Sequence, residues 1–208
     1  MLNIKVSDLD EAGRQANAFN RTSNDGGDVT IKLGQVIESL KGNWIGSDAT
    51  AQINNLIEIH SALYDIAKNS IQISYDTVQA VRAMQEVRAS NGGGAITVTS
   101  PEITVMPSTE RDIATLQETS QYDVKEGANQ DYANLTAVRD KFNSFVEAYN
   151  NDYNTLTSNW TEGGHRDELV QIHKTLNENA DQFVNVLGKA IENLNTALEN
   201  IASLNSAN

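Results

Sequence analysis

Two tryptophan turns divide the chain into matching parts. The motif NWIG at 43–46 recurs 116 residues later as NWTEG at 159–163, and these turns hold the only 2 tryptophans among the 208 residues. Each turn lies where one helical pattern stops and another begins. Repetition of such a unit indicates tandem supersecondary structure. The chain is therefore predicted to form two helix-turn-helix hairpins, closed by Trp44 and Trp160.

The segments that follow the two turns also match. At the same offset of 116, seven positions of an apolar stripe in the first copy map onto seven positions in the second. Five pairs agree in apolar character, and each of the two mismatches involves a histidine. The pairs are Ile53–Leu169, Leu56–Ile172, Ile57–His173, His60–Leu176, Ala67–Phe183, Ile71–Leu187 and Val78–Leu194. A turn repeated together with its stripe strengthens the tandem interpretation.

Composition excludes several classes of function. The net charge is −13, with 28 acidic against 15 basic residues. Nucleic-acid binding needs basic groups that displace phosphate counterions, so it is disfavoured, and so is electrostatic attachment to an anionic membrane. The chain has 0 cysteines, which excludes disulfides and thiolate metal sites. The N-terminus lacks the apolar core of a signal peptide.

Four long helices are predicted from apolar residues in alternating steps of three and four, the spacing of helical bundles. Their bounds are about Asp8–Lys41, Ser47 or Asp48 to Ser90, Ser108 or Thr109 to Ser158, and a fourth whose seam runs from Leu169 to Leu204. The cluster NDGGD at 24–28 predicts a kink or short loop in the first helix. The predicted fold is all-α, an elongated antiparallel four-helix bundle.

The segment between the hairpins is the only one with alternating polarity. Residues 1–91 are predicted to form the first hairpin, 92–108 a linker and 109–208 the second hairpin. Both prolines lie in the linker, and its alternation predicts either a short β-hairpin or an extended strand. We favour the β-hairpin, which would place both tryptophan turns at one end of the bundle. Alternatively, the strands pair between two chains in a swapped dimer.

Residues 40–49 (LKGNWIGSDA) resemble the W-x-G turn of the WXG (ESX) family, small helical hairpins that bacteria export by type VII secretion. They are also similar to LXG-type N-terminal domains, in which leucine and glycine precede the tryptophan. Trp44, Ile45 and Gly46 match the motif. In the second copy Trp160 matches, and the glycine is displaced by one position to Gly163.

The resemblance implies a pair of WXG hairpins fused into one chain and recognised through its turns. Family secretion signals add a Y-x-x-x-D/E motif, and the match here is Tyr122 to Glu126, within the third predicted helix. The expected partner is type VII secretion machinery or a secreted cargo protein. A homodimer is left open. The expected location is the cell surface or exterior, reached from the cytoplasm without a cleaved signal.

Catalysis is not expected, and no cofactor or metal is predicted. His165 and Glu168 lie one helical turn apart, but two histidines four residues apart, as in metalloprotease helices, do not occur. His60 and His173 fall on the apolar seams, where a core histidine is the simpler interpretation. A helical adaptor is the alternative function. A pore-forming toxin is disfavoured because the linker holds too few apolar residues to span a bilayer, even as strands.

Overall fold

The computed structural model describes residues 5–6, 8–107 and 111–206. Over these ranges the fold is all-α with four helices, as predicted, and each short strand pairs with one other. The elements in chain order are β1 Lys5–Val6, α1 Leu9–Asn43, β2 Trp44–Ile45, α2 Ser47–Ser90, β3 Asp123–Val124, α3 Ala128–Asn159, β4 Trp160–Glu162 and α4 Gly164–Ser206. The antiparallel pairs are β1 with β4 and β2 with β3.

The chain forms two compact units, each containing part of every helix. Unit 1 consists of the chain up to Asp28, Ile66–Val105 and Ser144–Glu178, and unit 2 of Val29–Asp65, Met106–Asn143 and the chain from Asn179. Each unit is thus assembled from stretches far apart in sequence. The sequence-based division into 1–91, 92–108 and 109–208 follows chain order instead and stays a prediction.

Aromatic pairs lie within the core of each unit. In unit 1 the rings of Phe19 and Tyr149 lie 5.2 Å apart, and in unit 2 those of Phe142 and Phe183 lie 5.5 Å apart. Tilted pairs at this spacing add to the stabilisation from burial. Of the fourteen positions in the repeated stripes, all except Ile172 and His173 are buried. The repeat therefore marks the core-facing side of α2 and α4.

The short loop predicted at 24–28 as one alternative does not form, because α1 continues through these residues. The glycines serve close packing rather than a turn. A β-carbon at Gly26 would lie 2.5 Å from Cε2 of Phe145, and one at Gly27 would lie 2.8 Å from Cδ1 of Ile71. Asn24 donates a 2.7 Å hydrogen bond to the carbonyl of Asn20, one turn earlier. Tertiary packing thus overrides the weak helix propensity of this segment.

The β-hairpin favoured for the linker is wrong, and the extended alternative is correct: residues 95–107 form no strand pair. In unit 1, side chains of the helices form hydrogen bonds with the backbone groups of the linker. Asn20 accepts a 2.8 Å hydrogen bond from the amide of Glu102 and donates one of 3.1 Å to its carbonyl. Gln85 accepts a 2.8 Å bond from the amide of Thr97. These carboxamides replace the partner strand that a hairpin would have supplied.

The third helix begins later than predicted. Ser108 and Thr109, its predicted start, lie outside the described residues, and 111–127 contain no helix. In unit 2 the backbone of Leu116 both donates to and accepts from the carboxamide of Asn54, at 2.8 and 3.0 Å. Helix α3 starts at Ala128, after Asp123–Val124 has paired with β2. The hydrogen bonds of Leu116 to Asn54 and the pairing of β3 with β2 keep this segment out of the helix.

The expectation that both tryptophan turns lie at one end of the bundle stays a prediction. Trp44 belongs to unit 2 and Trp160 to unit 1. Helix α2 ends at Ser90 in unit 1, whereas α3 begins at Ala128 in unit 2.

Candidate recognition site at the Trp44 turn

The Trp44 turn is a compact reversal between α1 and α2. Trp44 is only 2% exposed, so its indole ring belongs to the core of unit 2. Gly46 has φ +153°, which favours glycine, and its carbonyl accepts a 2.8 Å hydrogen bond from Thr50 in the first turn of α2. The sequence motif therefore combines a buried anchor with a backbone position suited to glycine.

A strand from the distant segment before α3 completes this turn. Trp44 pairs with Val124 and Ile45 with Asp123 in antiparallel register. The pairing is extended by a 2.9 Å hydrogen bond from the amide of Lys125 to the carbonyl of Asn43. The turn is thus held by backbone contacts from the segment that precedes the second hairpin.

This pairing brings the two sequence motifs together. Tyr122 and Glu126 flank β3 instead of lying in a helix, which corrects the prediction for them. A β-carbon at Gly46 would lie 3.1 Å from Cδ2 of Tyr122, so the phenol ring rests on the glycine. Tyr122 remains 60% exposed, and Glu126 is also exposed. Both side chains of the second motif are therefore exposed to solvent.

A cleft of about 400 Å³ adjoins this surface in unit 2. The Trp44 turn and Tyr122 line it, together with the start of α2 and the last part of α4. Its polar lining residues are Ser47, Asp48, Gln52, Asn193, Thr196 and Asn200. Hydroxyl and carboxamide groups can both donate and accept hydrogen bonds. The cleft is chemically suited to polar or backbone groups of a polypeptide.

The Trp160 turn, in unit 1, also combines a buried tryptophan with a glycine at positive φ, but different hydrogen bonds stabilise it. Trp160 is also 2% exposed, but its Nε1 donates a 2.9 Å hydrogen bond to the carbonyl of Glu162. Arg166 Nε donates a 3.0 Å bond to the carbonyl of Trp160. Gly163 has φ +134°, so the displaced glycine still supplies the left-handed backbone. Strand β4 pairs with β1, the strand before α1.

Asparagine before each tryptophan has a role that the sequence interpretation missed. Asn159 binds the backbone of Asp8 twice, accepting from its amide at 2.9 Å and donating to its carbonyl at 2.8 Å. Asn43 instead donates a 2.8 Å bond to the carboxylate of Asp131, in the first turn of α3. The repeated Asn-Trp pair was the available signal. Each asparagine fastens the start of a distant helix.

The three histidines are dispersed over the fold. His60 is fully buried, and burial lowers its pKa despite an opposing contribution from a hydrogen bond with the backbone of Thr30. His173 is half-buried, which lowers its pKa, and stacks on Tyr153 at 3.6 Å. His165 lies 3.2 Å from the carboxylate of Glu168. Within the described residues, no three or more metal-binding side chains cluster.

A scan against protein-family models and searches of curated proteins and of solved structures found no match to this chain. Along the described helices, no stretch is both long and apolar enough to cross a bilayer. The interpretation of the site therefore rests on its own geometry and on the motifs of the sequence.

Proposed function

We propose that this chain is a non-enzymatic WXG-like protein that type VII secretion machinery recognises through the Trp44 turn. The observation that supports the proposal is the pairing of the turn with the segment from Tyr122 to Glu126. Two motifs separated by more than 70 residues form one surface. The segment exposes a tyrosine and a glutamate, and the buried Trp44 lies in the turn with which the segment pairs.

The division of roles follows from burial. Trp44 is too deeply buried to contact a partner, so its contribution is to position the turn. Tyr122 offers a large amphipathic ring at low entropic cost, a common feature of binding hot spots. Glu126 adds a negative charge that steers association with a basic partner surface. The proposed recognition residues are therefore Tyr122 and Glu126, supported by Trp44 and Gly46.

The export test compares surface and core substitutions in a host that carries a type VII system. We expect Tyr122→Ser to reduce protein in the culture supernatant at least tenfold, while the amount inside the cell stays unchanged. The matched control is Tyr75→Ser, a half-buried tyrosine on α2, which should be exported normally. Supernatant protein that persists after deletion of the type VII ATPase would contradict the proposed route.

An escort and an export substrate differ in what they carry. An escort should co-purify from the cytoplasm with a secreted cargo protein, and that association should depend on Tyr122 or Glu126. A helical adaptor, the alternative function, predicts that Tyr122→Ser leaves the supernatant level unchanged. The same pair of variants therefore separates recognition at the turn from a purely structural helical protein.

A further inference from the structure

The extended linker of unit 1 is bound through its backbone. We call residues 95–105 the strap. The carboxamide of Asn20 binds both the amide and the carbonyl of Glu102. Asn24 accepts a hydrogen bond from the amide of Thr104 and donates a 3.1 Å bond to the carbonyl of Glu102. Two side chains one turn apart on α1 therefore bind alternate residues of the strap, as a neighbouring β-strand would.

A third carboxamide on α2 binds the start of the strap. Gln85 accepts from the amides of Thr97 and Val98, at 2.8 and 3.2 Å. Its amide group donates to the Thr97 hydroxyl at 2.8 Å and to the carbonyl of Leu9 at 3.0 Å. Backbone amides are common to all residues except proline, so this recognition depends little on the identity of the bound segment.

Glycines of α1 clear a channel for the strap. A β-carbon at Gly13 would lie 2.8 Å from the Thr97 hydroxyl, and one at Gly27 would lie 3.3 Å from Cγ2 of Thr104. Fourteen helical residues rise about 21 Å, and seven residues of strand span about 23 Å. The strap from Thr97 to Thr104 is therefore almost fully extended along this channel. Its shape fits a β-strand.

The strap buries few of its own apolar side chains. Val98 is 6% exposed, whereas Ile96, Ile103 and Val105 are 45%, 49% and 73% exposed. Hydrophobic burial scales with the apolar area removed from water, so these three side chains hold the strap only weakly. The chain leading into the strap contains Gly92, whose φ is +82°. The strap is thus fastened mainly by the carboxamides.

Those carboxamides make an empty channel unfavourable. Asn20 is 3% exposed, Asn24 is 6% exposed and Gln85 is fully buried. A buried polar group left without a hydrogen bond is strongly destabilising. Loss of the strap therefore removes the hydrogen-bond partners of these carboxamides, and another extended backbone can replace them. The channel favours exchange of one extended segment for another over vacancy.

We propose that the channel between α1 and α2 in unit 1 is a binding site for an extended polypeptide segment of a partner protein, and that the strap occupies it in the free chain. The partner segment would carry small or β-branched residues where Thr97, Val98 and Thr104 meet the channel. Its remaining side chains are unrestricted, because recognition is by backbone. This inference stands on the channel alone and does not depend on the export route.

The first test weakens the strap within the full-length chain. Proline at positions 97, 102 and 104 (Thr97→Pro, Glu102→Pro, Thr104→Pro) removes three amides that the carboxamides bind. We expect this chain to bind a labelled peptide of sequence 95–105 at least tenfold more tightly than the control chain does. The control carries Ile103→Pro and Val105→Pro, whose amides point away from the channel in an alternating strand.

The peptide supplies a second control without altering the protein. A methyl group on the Thr104 amide nitrogen should weaken binding to the triple-proline chain at least tenfold, whereas methylation at Ile103 should leave it unchanged. If the triple-proline chain keeps wild-type helix content by circular dichroism and does not bind the peptide, the proposal is wrong. Equal binding of both methylated peptides would also contradict it.

A measurement on the wild-type chain covers the case in which the triple-proline chain does not fold. Peptide added in excess should trap the open strap and accelerate hydrogen exchange at the amides of Glu102 and Thr104. Exchange that is independent of peptide concentration would overturn the proposal. A concentration-dependent dimer that exchanges straps would assign the channel to a second copy of the chain and would overturn it as well.

Discussion

The two tryptophan turns share an architecture and differ in what they expose. Both indoles are 2% exposed, both turns place glycine at positive φ, and each pairs with a strand that precedes the other hairpin. At Trp160 the indole nitrogen and the backbone carbonyl are both engaged in hydrogen bonds. At Trp44 the glycine is covered by Tyr122, which remains 60% exposed, beside a cleft.

This difference separates the features that stabilise both turns from the side chains that only the Trp44 turn exposes to solvent. The shared features are buried or belong to the backbone, so they stabilise the fold at both turns. The features found at the Trp44 turn are exposed side chains contributed by the segment before α3. Repetition alone therefore does not identify the recognition surface. That surface depends on Tyr122 and Glu126, which lie outside the repeated motif.

The largest expected effect tests the shared architecture. Trp44→Ala and Trp160→Ala should each lower the free energy of unfolding by about 3–5 kcal/mol, the usual cost of truncating a buried aromatic residue. Urea denaturation followed by circular dichroism measures both. A loss below about 1 kcal/mol at either position would show that the two turns are not equivalent anchors.

Substitution of the two asparagines tests which hydrogen bonds stabilise each turn. Asn159→Ala and Asn43→Ala should each cost about 1–3 kcal/mol, because partly buried groups lose their hydrogen-bond partners. The local consequences should differ. Amide exchange should rise at Asp8 in the Asn159 variant, whereas in the Asn43 variant it should rise in the first turn of α3, around Asp131. Identical exchange profiles for the two variants would contradict the separate roles.

The two histidines interrupt the repeated stripes at different positions and should respond differently to acid. Folding lowers the pKa of both, so each is neutral when folded but protonates near pH 6.5 in the unfolded chain. Stability present above that pH is therefore lost as the pH falls towards each folded pKa. His60→Leu should flatten this decline more than His173→Leu, because His60 is fully buried. Urea unfolding from pH 7.5 to 5 measures it. The opposite order would refute this account of burial.

The smallest stability effect is expected at the exposed tyrosine. Tyr122→Ser should change the free energy of unfolding by no more than about 0.5 kcal/mol, as is usual for surface substitutions. This result, measured in urea, would sharpen the contrast with Trp44→Ala. A large loss of stability would mean that Tyr122 fastens the turn, and reduced export of the variant would then not report recognition.

The helices and their core-facing residues were predictable because spacing by three and four reflects local geometry. The contacts between distant segments were not. The cluster at 24–28 contains strong helix breakers, and the packing of Phe145 against Gly26 and of Ile71 against Gly27 explains why the helix continues. The alternation at 95–105 allowed either a β-hairpin or an extended segment, and the favoured hairpin does not form. The partners of the extended segment were carboxamides on two helices rather than a second strand, and no local pattern reveals that choice.

The placement of the candidate site was partly predictable. Trp44, Gly46, Tyr122 and Glu126 were all identified from motifs, but nothing in their spacing indicated that they form one surface. That arrangement depends on the pairing of β2 with β3.

Cross-linking at the Trp44 turn tests the central claim most directly. The chain has 0 cysteines, so Ile45→Cys and Asp123→Cys can be introduced together without competing thiols. Because these positions are register partners, oxidation should produce an intrachain disulfide in the monomer, visible by non-reducing electrophoresis and mass spectrometry, and the Ile45→Cys chain alone should not form it. Failure of the folded double variant to close this bond, or a bond that forms only between chains, would contradict the claim that the two motifs share one surface.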